Sequence, residues 1–295
     1  MVGVEVSDPM NDLPEPLKGG EPARLFPVLA ETSRVGRALS VFLACFAAVD
    51  DLARTLLATL GLRLGVRSRV QAFAEVVLDN VPDDAAGRRP DGLIVVRTGR
   101  RYWTALVEAK VRRAKLDAEQ MEAYLQLAKA NGIDALVTIS NDFAAVPNHH
   151  PVRIISQRAR RGVDLYHWSW TSILTQAKVL LADTESVEDV EQRFLMNELV
   201  RFLDHPSTGV MRFDRMDGNW KGLVDSVIAG ASLQANSDEV THTVANWHQE
   251  CRDLALKLMV HVSSSVSIKL PRAYRNDPRQ RNSRTMPPTC ASGGR

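Results

Sequence analysis

Asp91, Glu108 and Lys110 are the residues of this 295-residue chain whose types and spacing best suit chemistry. Asp91 follows Pro90 and opens the apolar run GLIVVR (92–97), while Glu108 and Lys110 close the run RYWTALVEAKV (101–111). The intervening TGR predicts a glycine-containing turn, so the two runs read as the arms of a β-hairpin. Residues two apart on a strand share a face, so Glu108 and Lys110 project together while Val107, Ala109 and Val111 turn away. Hairpin pairing then brings Asp91 roughly opposite that pair. Two carboxylates held close repel, and a hard divalent cation relieves the repulsion. Mg2+ characteristically takes one or two carboxylates and completes its shell with water and phosphate oxygens, with Mn2+ as the alternative ion. The chemistry expected is phosphate chemistry, in which Lys110 stabilises developing negative charge or helps position and deprotonate an attacking water.

The elements that must hold these groups can be read on either side. From Val28 to Leu60 there is no proline, the only glycine is Gly36, and apolar residues recur at three- and four-residue spacing. This predicts one long helix or two separated near Asp50, closed by Gly61. RVQAFAEVVLD (69–79) reads as a strand and VPDDAAGRRP as its exit loop. After Lys115, Leu116, Met121, Tyr124, Leu125 and Ala128 recur helically, with Asp117 placed to cap the start and Gly132 to end it. IDALVTISN (133–141) and VDLYHWSW (163–170) read as strands and TSILTQAKVLLAD as a further helix. The fold class expected is α/β, a mixed central sheet flanked by helices. An all-helical C-terminal region follows it. The expected division is a flexible leader at 1–22, the α/β domain at 23–182, a helical accessory region at 187–265 and a basic disordered tail at 266–295.

Pro90-Asp91 followed by Glu108-x-Lys110 resembles the signature of the PD-(D/E)xK nuclease superfamily, which includes restriction endonucleases and recombination exonucleases. The resemblance covers roughly residues 28–145. It implies a restriction-endonuclease-like core of helix, three strands, helix and strand, which is the order read above. It also implies a Mg2+-dependent nuclease, acting on DNA more than RNA, with Asp91 and Glu108 as metal ligands and Lys110 at the attacking water. A further acid near the first helix is implied, with Glu31 matching by position and Glu75 as its rival. Gln120 and Tyr124 resemble the Gln-x-x-x-Tyr pair of the branch related to recombination exonucleases. Four residues make about one helical turn, so both can face the site. The same residues also admit an inactive relative, a nucleic-acid-binding or protein-interaction module that keeps the fold without turnover.

Global charge does not argue for nucleic acid. The chain has 37 basic and 35 acidic side chains; seven of the basic ones and one acid lie from Ile268 onward, which leaves 30 against 34, a net of −4, in the rest. The local pattern does argue for it: Arg97, Arg100, Arg101, Arg112, Arg113 and Lys115 surround the proposed site and would suit a phosphate backbone. Arg153, Arg158, Arg160 and Arg161 form a second candidate contact, and for both groups a merely solvated face is the alternative. His149-His150 lacks a third ligand of matching spacing and reads as a surface loop. Trp168 and Trp170 read as core aromatics. Cys45, Cys251 and Cys290 are far apart with no CxxC pair, which argues against a disulfide framework or zinc site and suits a cytoplasmic, bacterial protein. The longest apolar run, 38–49, is too short to cross a membrane, which takes about 20 residues. A homodimer through the helical region is compatible with its amphipathic patterning.

Overall fold

The computed structural model describes residues 17–26, 33–142, 150–152, 161–183, 186–211, 219–234 and scattered positions between 237 and 266. The chain divides into two compact units, Met1–Met211 and Arg212–Arg295. In the first, β1 (Leu17–Pro22), β2 (Ser68–Leu78), β3 (Gly92–Thr98), β4 (Arg101–Ala109), β5 (Ala135–Ser140) and β6 (Asp164–Ser169) lie side by side in sequence order. Pairing is antiparallel from β1 to β4 and parallel from β4 to β6. α1 (Arg34–Ala48) and α2 (Asp50–Ala58) precede β2, and α3 (Ala118–Ala130) makes the crossover that the parallel β4–β5 pair requires. α4 (Trp170–Ala182) follows β6 directly, and α5 (Val190–Asp204) packs on α4 and α1. The fold class is therefore α/β, a six-stranded mixed sheet between helices.

Both sheet faces are buried. Leu93, Val95, Leu106, Leu136 and Leu165 meet Met121, Tyr124, Leu125 and Ala128 of α3 on one side. Ile94, Val96, Ala105, Val107, Val137 and Ile139 meet α1, α2, α4 and α5 on the other. That double burial explains why β3, β4 and β5 read as continuous apolar runs. Each fully buried large side chain, such as Phe42 or Leu106, stabilises by about 1.5–3 kcal/mol. Phe42 also packs edge-on against Trp168 and Trp170, with centroids 6.4 and 5.9 Å away, as expected of core aromatics.

Several boundaries differ from the sequence reading. Leu17–Pro22 is an edge strand on β2 and not part of a leader. Its glycines and proline conceal it, because such residues are tolerated in a strand chiefly at an edge. The first unit runs to Met211, past the boundary set at 182. The reason is that Met196, Leu199 and Leu203 of α5 are buried in the same core as α1. Of the two readings of 28–60, the pair of helices separated near Asp50 is the one found: α1 and α2 part at Val49, whose backbone is extended. In the second unit the described residues carry α6 (Asn219–Ile228) and helical positions between 240 and 262, with no strand among them. The tail from 267 lies outside the described residues. No helix among those described is long and apolar enough to cross a membrane.

Candidate active site

The hairpin register pairs Gly92 with Val107, which places Asp91 across from Glu108 at the end where β3 begins and β4 finishes. Gly92 has a packing role there. A Cβ on it would lie 2.9 Å from both Leu43 Cδ1 and the Phe73 carbonyl, so only glycine lets the strand pass this closely under α1 just after Asp91. Asp91 Oδ2 accepts the amide N–H of Ala109 at 2.8 Å, which stitches the two strand ends together through the carboxylate itself.

Glu108 is almost fully buried, on the α3 face of the sheet. Its Oε1 is ion-paired with the Lys110 ammonium and accepts Gln120 Nε2 at 3.0 Å. The same Gln120 nitrogen donates to the Tyr124 hydroxyl at 3.0 Å, and that hydroxyl donates to the Arg89 carbonyl at 2.9 Å. Gln120 and Tyr124 thus span the distance from Glu108 to the segment entering Asp91. Tyr124 is both a core aromatic and part of this bracket, and burial raises its pKa. α3 is held in the required rotation by Asp117, whose side chain caps the amide of Gln120 at 2.9 Å.

The site carries an unmet electrostatic demand. Burial, then the neighbouring Glu108 carboxylate, pushes the Asp91 pKa up to about 7, against the pull of the Ala109 amide and Lys110. Glu108 Oε2 is buried with no hydrogen-bond partner among the described residues. A buried acceptor in that state costs about 1–3 kcal/mol, more when charged. These two carboxylates fit a hard divalent cation. Among the described residues no group of three or more His, Cys, Asp or Glu is placed around one point, so water and substrate oxygens would have to complete such an ion's shell.

The structure brings Asp91, Glu108, Lys110, Gln120 and Tyr124 together. Glu75 lies at a β-bulge with φ of 54°, and its amide donates to the Asp91 carbonyl at 3.2 Å, but its carboxylate faces Arg89 at 3.7 Å. Glu31 lies outside the described residues. The basic cluster does not stay together. Arg97, Arg100 and Arg101 sit at the turn end of the hairpin, six or more residues along the strands from the acids and so about 20 Å away. Arg112, Arg113 and Lys115 are exposed and follow directly on Lys110. Arg153, Arg158 and Arg160 lie outside the described residues, and Arg161 is in an exposed turn.

Four features escaped the sequence reading. Asn141 donates to the carbonyls of Arg112 and Gly209, both at 2.9 Å, and accepts the Met211 amide at 2.9 Å, clamping the chain beyond Lys110. The Trp170 indole donates to the Lys110 carbonyl at 2.8 Å. Arg89 holds the bulge at Glu75. The fourth is a correction, because His150 is buried and not part of a surface loop. Thr138 pairs in register with Glu108 on one side and His167 on the other, so a polar row crosses the sheet from Asp91 to His167. Thr138 Oγ1 contacts His150 Nε2 at 2.7 Å and His167 Nδ1 at 2.8 Å, and His167 Nε2 meets the Asp142 carbonyl at 2.8 Å. A carbonyl only accepts, which assigns the proton to His167 Nε2. Thr138 then donates to Nδ1 and accepts from His150 Nε2, leaving His150 Nδ1 to accept the Val152 amide at 3.1 Å. The adjacent His167 and Trp168 in β6 were the available signal, since neighbouring strand residues lie on opposite faces and both are buried here.

In comparisons with known proteins, no family model, no curated protein and no solved structure matches the chain.

Proposed function

We propose that the chain is a divalent-metal-dependent phosphodiesterase of the PD-(D/E)xK type, acting on nucleic acid and on DNA in preference to RNA. The observation that carries this reading is the pair of half-buried Asp91 and buried Glu108, one with a pKa raised to about 7 and the other with an unpartnered oxygen, beside Lys110. Asp91 and Glu108 would hold Mg2+ or Mn2+, which when bound supplies charge neutralisation at the phosphoryl group and activates water. Lys110, about a fifth exposed, is anchored by Glu108 and sits where its ammonium can meet the attacking water or a phosphoryl oxygen. Gln120 and Tyr124 keep Glu108 and the approach to Asp91 at a fixed separation, and orientation of that kind accounts for much of catalytic rate. Arg112, Arg113 and Lys115 supply positive charge beside the site for the backbone. A bacterial cytoplasmic setting suits the buried Cys45, which forms no disulfide and whose pKa burial raises to about 12, and the helical region at 187–265 is the surface through which a homodimer would form.

The test is cleavage of labelled single- and double-stranded DNA and RNA in Mg2+ or Mn2+, run beside Lys110→Ala. Metal-dependent cleavage by the wild type, lost in the variant, supports the enzyme. Binding without cleavage in both would replace it with the inactive binding module.

A further inference from the structure

We propose that Arg89 is a phosphate-backbone contact at the lip of the acid pair, and that Glu75 is its counter-charge and not a ligand of the metal. The proposal rests on the phosphodiesterase reading and assigns two residues within it. Glu75 stands where the β2–β3 ladder ends, one step beyond the Ala74–Gly92 pair. Its φ of 54° is a conformation that costs a non-glycine residue energy and persists only where the surroundings impose it. At this bulge the β2 register slips against β1, Gly19 meeting Val77 and Glu21 meeting Ala74. The consequence is that the Glu75 amide turns onto the Asp91 carbonyl while its own carbonyl turns to Arg89, which donates to it at 2.8 Å.

The Arg89 backbone is held as well, because its carbonyl accepts the buried Tyr124 hydroxyl. Arg89 is therefore fixed at its backbone by Tyr124 and at its guanidinium by the bulge beside it. Its side chain nevertheless remains 55 % exposed, and that of Glu75 is 52 % exposed. A guanidinium carries five N–H donors in a planar fork that matches phosphate oxygens. An immobilised, half-exposed fork one proline away from a candidate metal ligand is suited to a phosphate flanking the scissile one. The Glu75 carboxylate, 3.7 Å from the guanidinium, is too far for a strong hydrogen bond and close enough to lower the local positive potential. This predicts opposite signs for the two residues.

The experiment is fluorescence anisotropy of labelled single- and double-stranded oligonucleotides in EDTA between 50 and 200 mM salt, with Mn2+ binding measured separately by electron paramagnetic resonance. Arg89→Ala is expected to raise Kd about fivefold and to reduce the steepness of log K against log salt by about 0.7–0.9, the share of one phosphate contact. Arg89→Lys keeps the slope. Glu75→Gln, which retains the backbone carbonyl, tightens binding about twofold and leaves Mn2+ affinity unchanged. Wild-type binding that Arg89→Ala leaves unaltered in Kd and slope overturns the proposal while the proposed function stands. Weaker Mn2+ binding by Glu75→Gln overturns the counter-charge and makes Glu75 a metal ligand. A wild-type chain that binds no oligonucleotide overturns this proposal and the nucleic-acid reading together. Should Arg89→Ala fail to fold, Arg89→Lys and Glu75→Gln still decide.

Discussion

One row of polar residues runs across the sheet on its α3 face, and its two halves are built on opposite terms. Thr138 of β5, His167 of β6 and His150 from the segment between them form a directed chain in which Thr138 Oγ1 and His167 Nδ1 and Nε2 all have partners. At the start of β3 and the end of β4, Asp91 and Glu108 crowd like charges, with one pKa pushed up to about 7 and one oxygen left unpartnered. Glu108 is as buried as Thr138, His150 and His167, so burial alone does not tell structure from function. The difference is satisfaction: a buried polar group with its partners contributes to a unique fold, whereas one without them costs stability and persists for another reason.

Substitutions in the two halves should therefore have opposite effects. The largest is expected at Asp91. Asp91→Asn retains an acceptor for the Ala109 amide, removes the raised carboxylate, and should abolish cleavage by about 10^3-fold or more in a single-turnover assay. The same change should stabilise the metal-free protein at pH 8 by about 1–3 kcal/mol in urea unfolding. The sign follows from linkage. An acid whose folded pKa is raised from 3.8 to about 7 contributes stability below the lower value and loses it as pH rises through the upper. Asp91→Asn removes that dependence.

Thr138→Val comes next and has the reverse profile. It strips the hydroxyl that links two buried imidazoles, so about 2–4 kcal/mol of stability should be lost, read as a lower urea midpoint. Divalent-ion affinity should survive. His167 then supplies a pH signature opposite to that of Asp91. Burial lowers its pKa from 6.5 to about 4, so the unfolded chain binds its proton first as pH falls. Stability carried by His167 is full above about 6.5 and declines toward 4, by a few kcal/mol. His167→Asn should flatten unfolding free energies across that window. The smallest effect concerns the divided basic cluster. Neutralising Arg112 and Arg113 should weaken oligonucleotide binding by about 1 kcal/mol each and lower its salt slope, while neutralising Arg100 and Arg101 at the far turn should change both less.

Much of the acid half was legible in the sequence because its geometry is local. A two-residue period and a short turn were enough to set Asp91 against Glu108 and to put Glu108 and Lys110 on one side. Capping by Asp117 and the four-residue spacing of Gln120 and Tyr124 likewise depend only on neighbouring residues. The histidine half was not legible, since His150, Thr138 and His167 meet through the parallel pairing of β5 with β6 and a return of the chain at 150–152. The same limit hid the anchoring of α5 on α1 and the bulge at Glu75. Spacing misled once, at the arginines: proximity along a hairpin placed Arg97 and Arg112 in one cluster, yet each strand residue adds about 3.4 Å of separation.

The most direct measurement is Mn2+ titration of the metal-free chain by electron paramagnetic resonance, with Asp91→Asn and Thr138→Val alongside. The account predicts saturable binding by the wild type, its loss in Asp91→Asn and its retention in Thr138→Val. No saturable binding by the wild type, or binding that Asp91→Asn leaves intact, would contradict the claim that the unmet half of the row is a metal site.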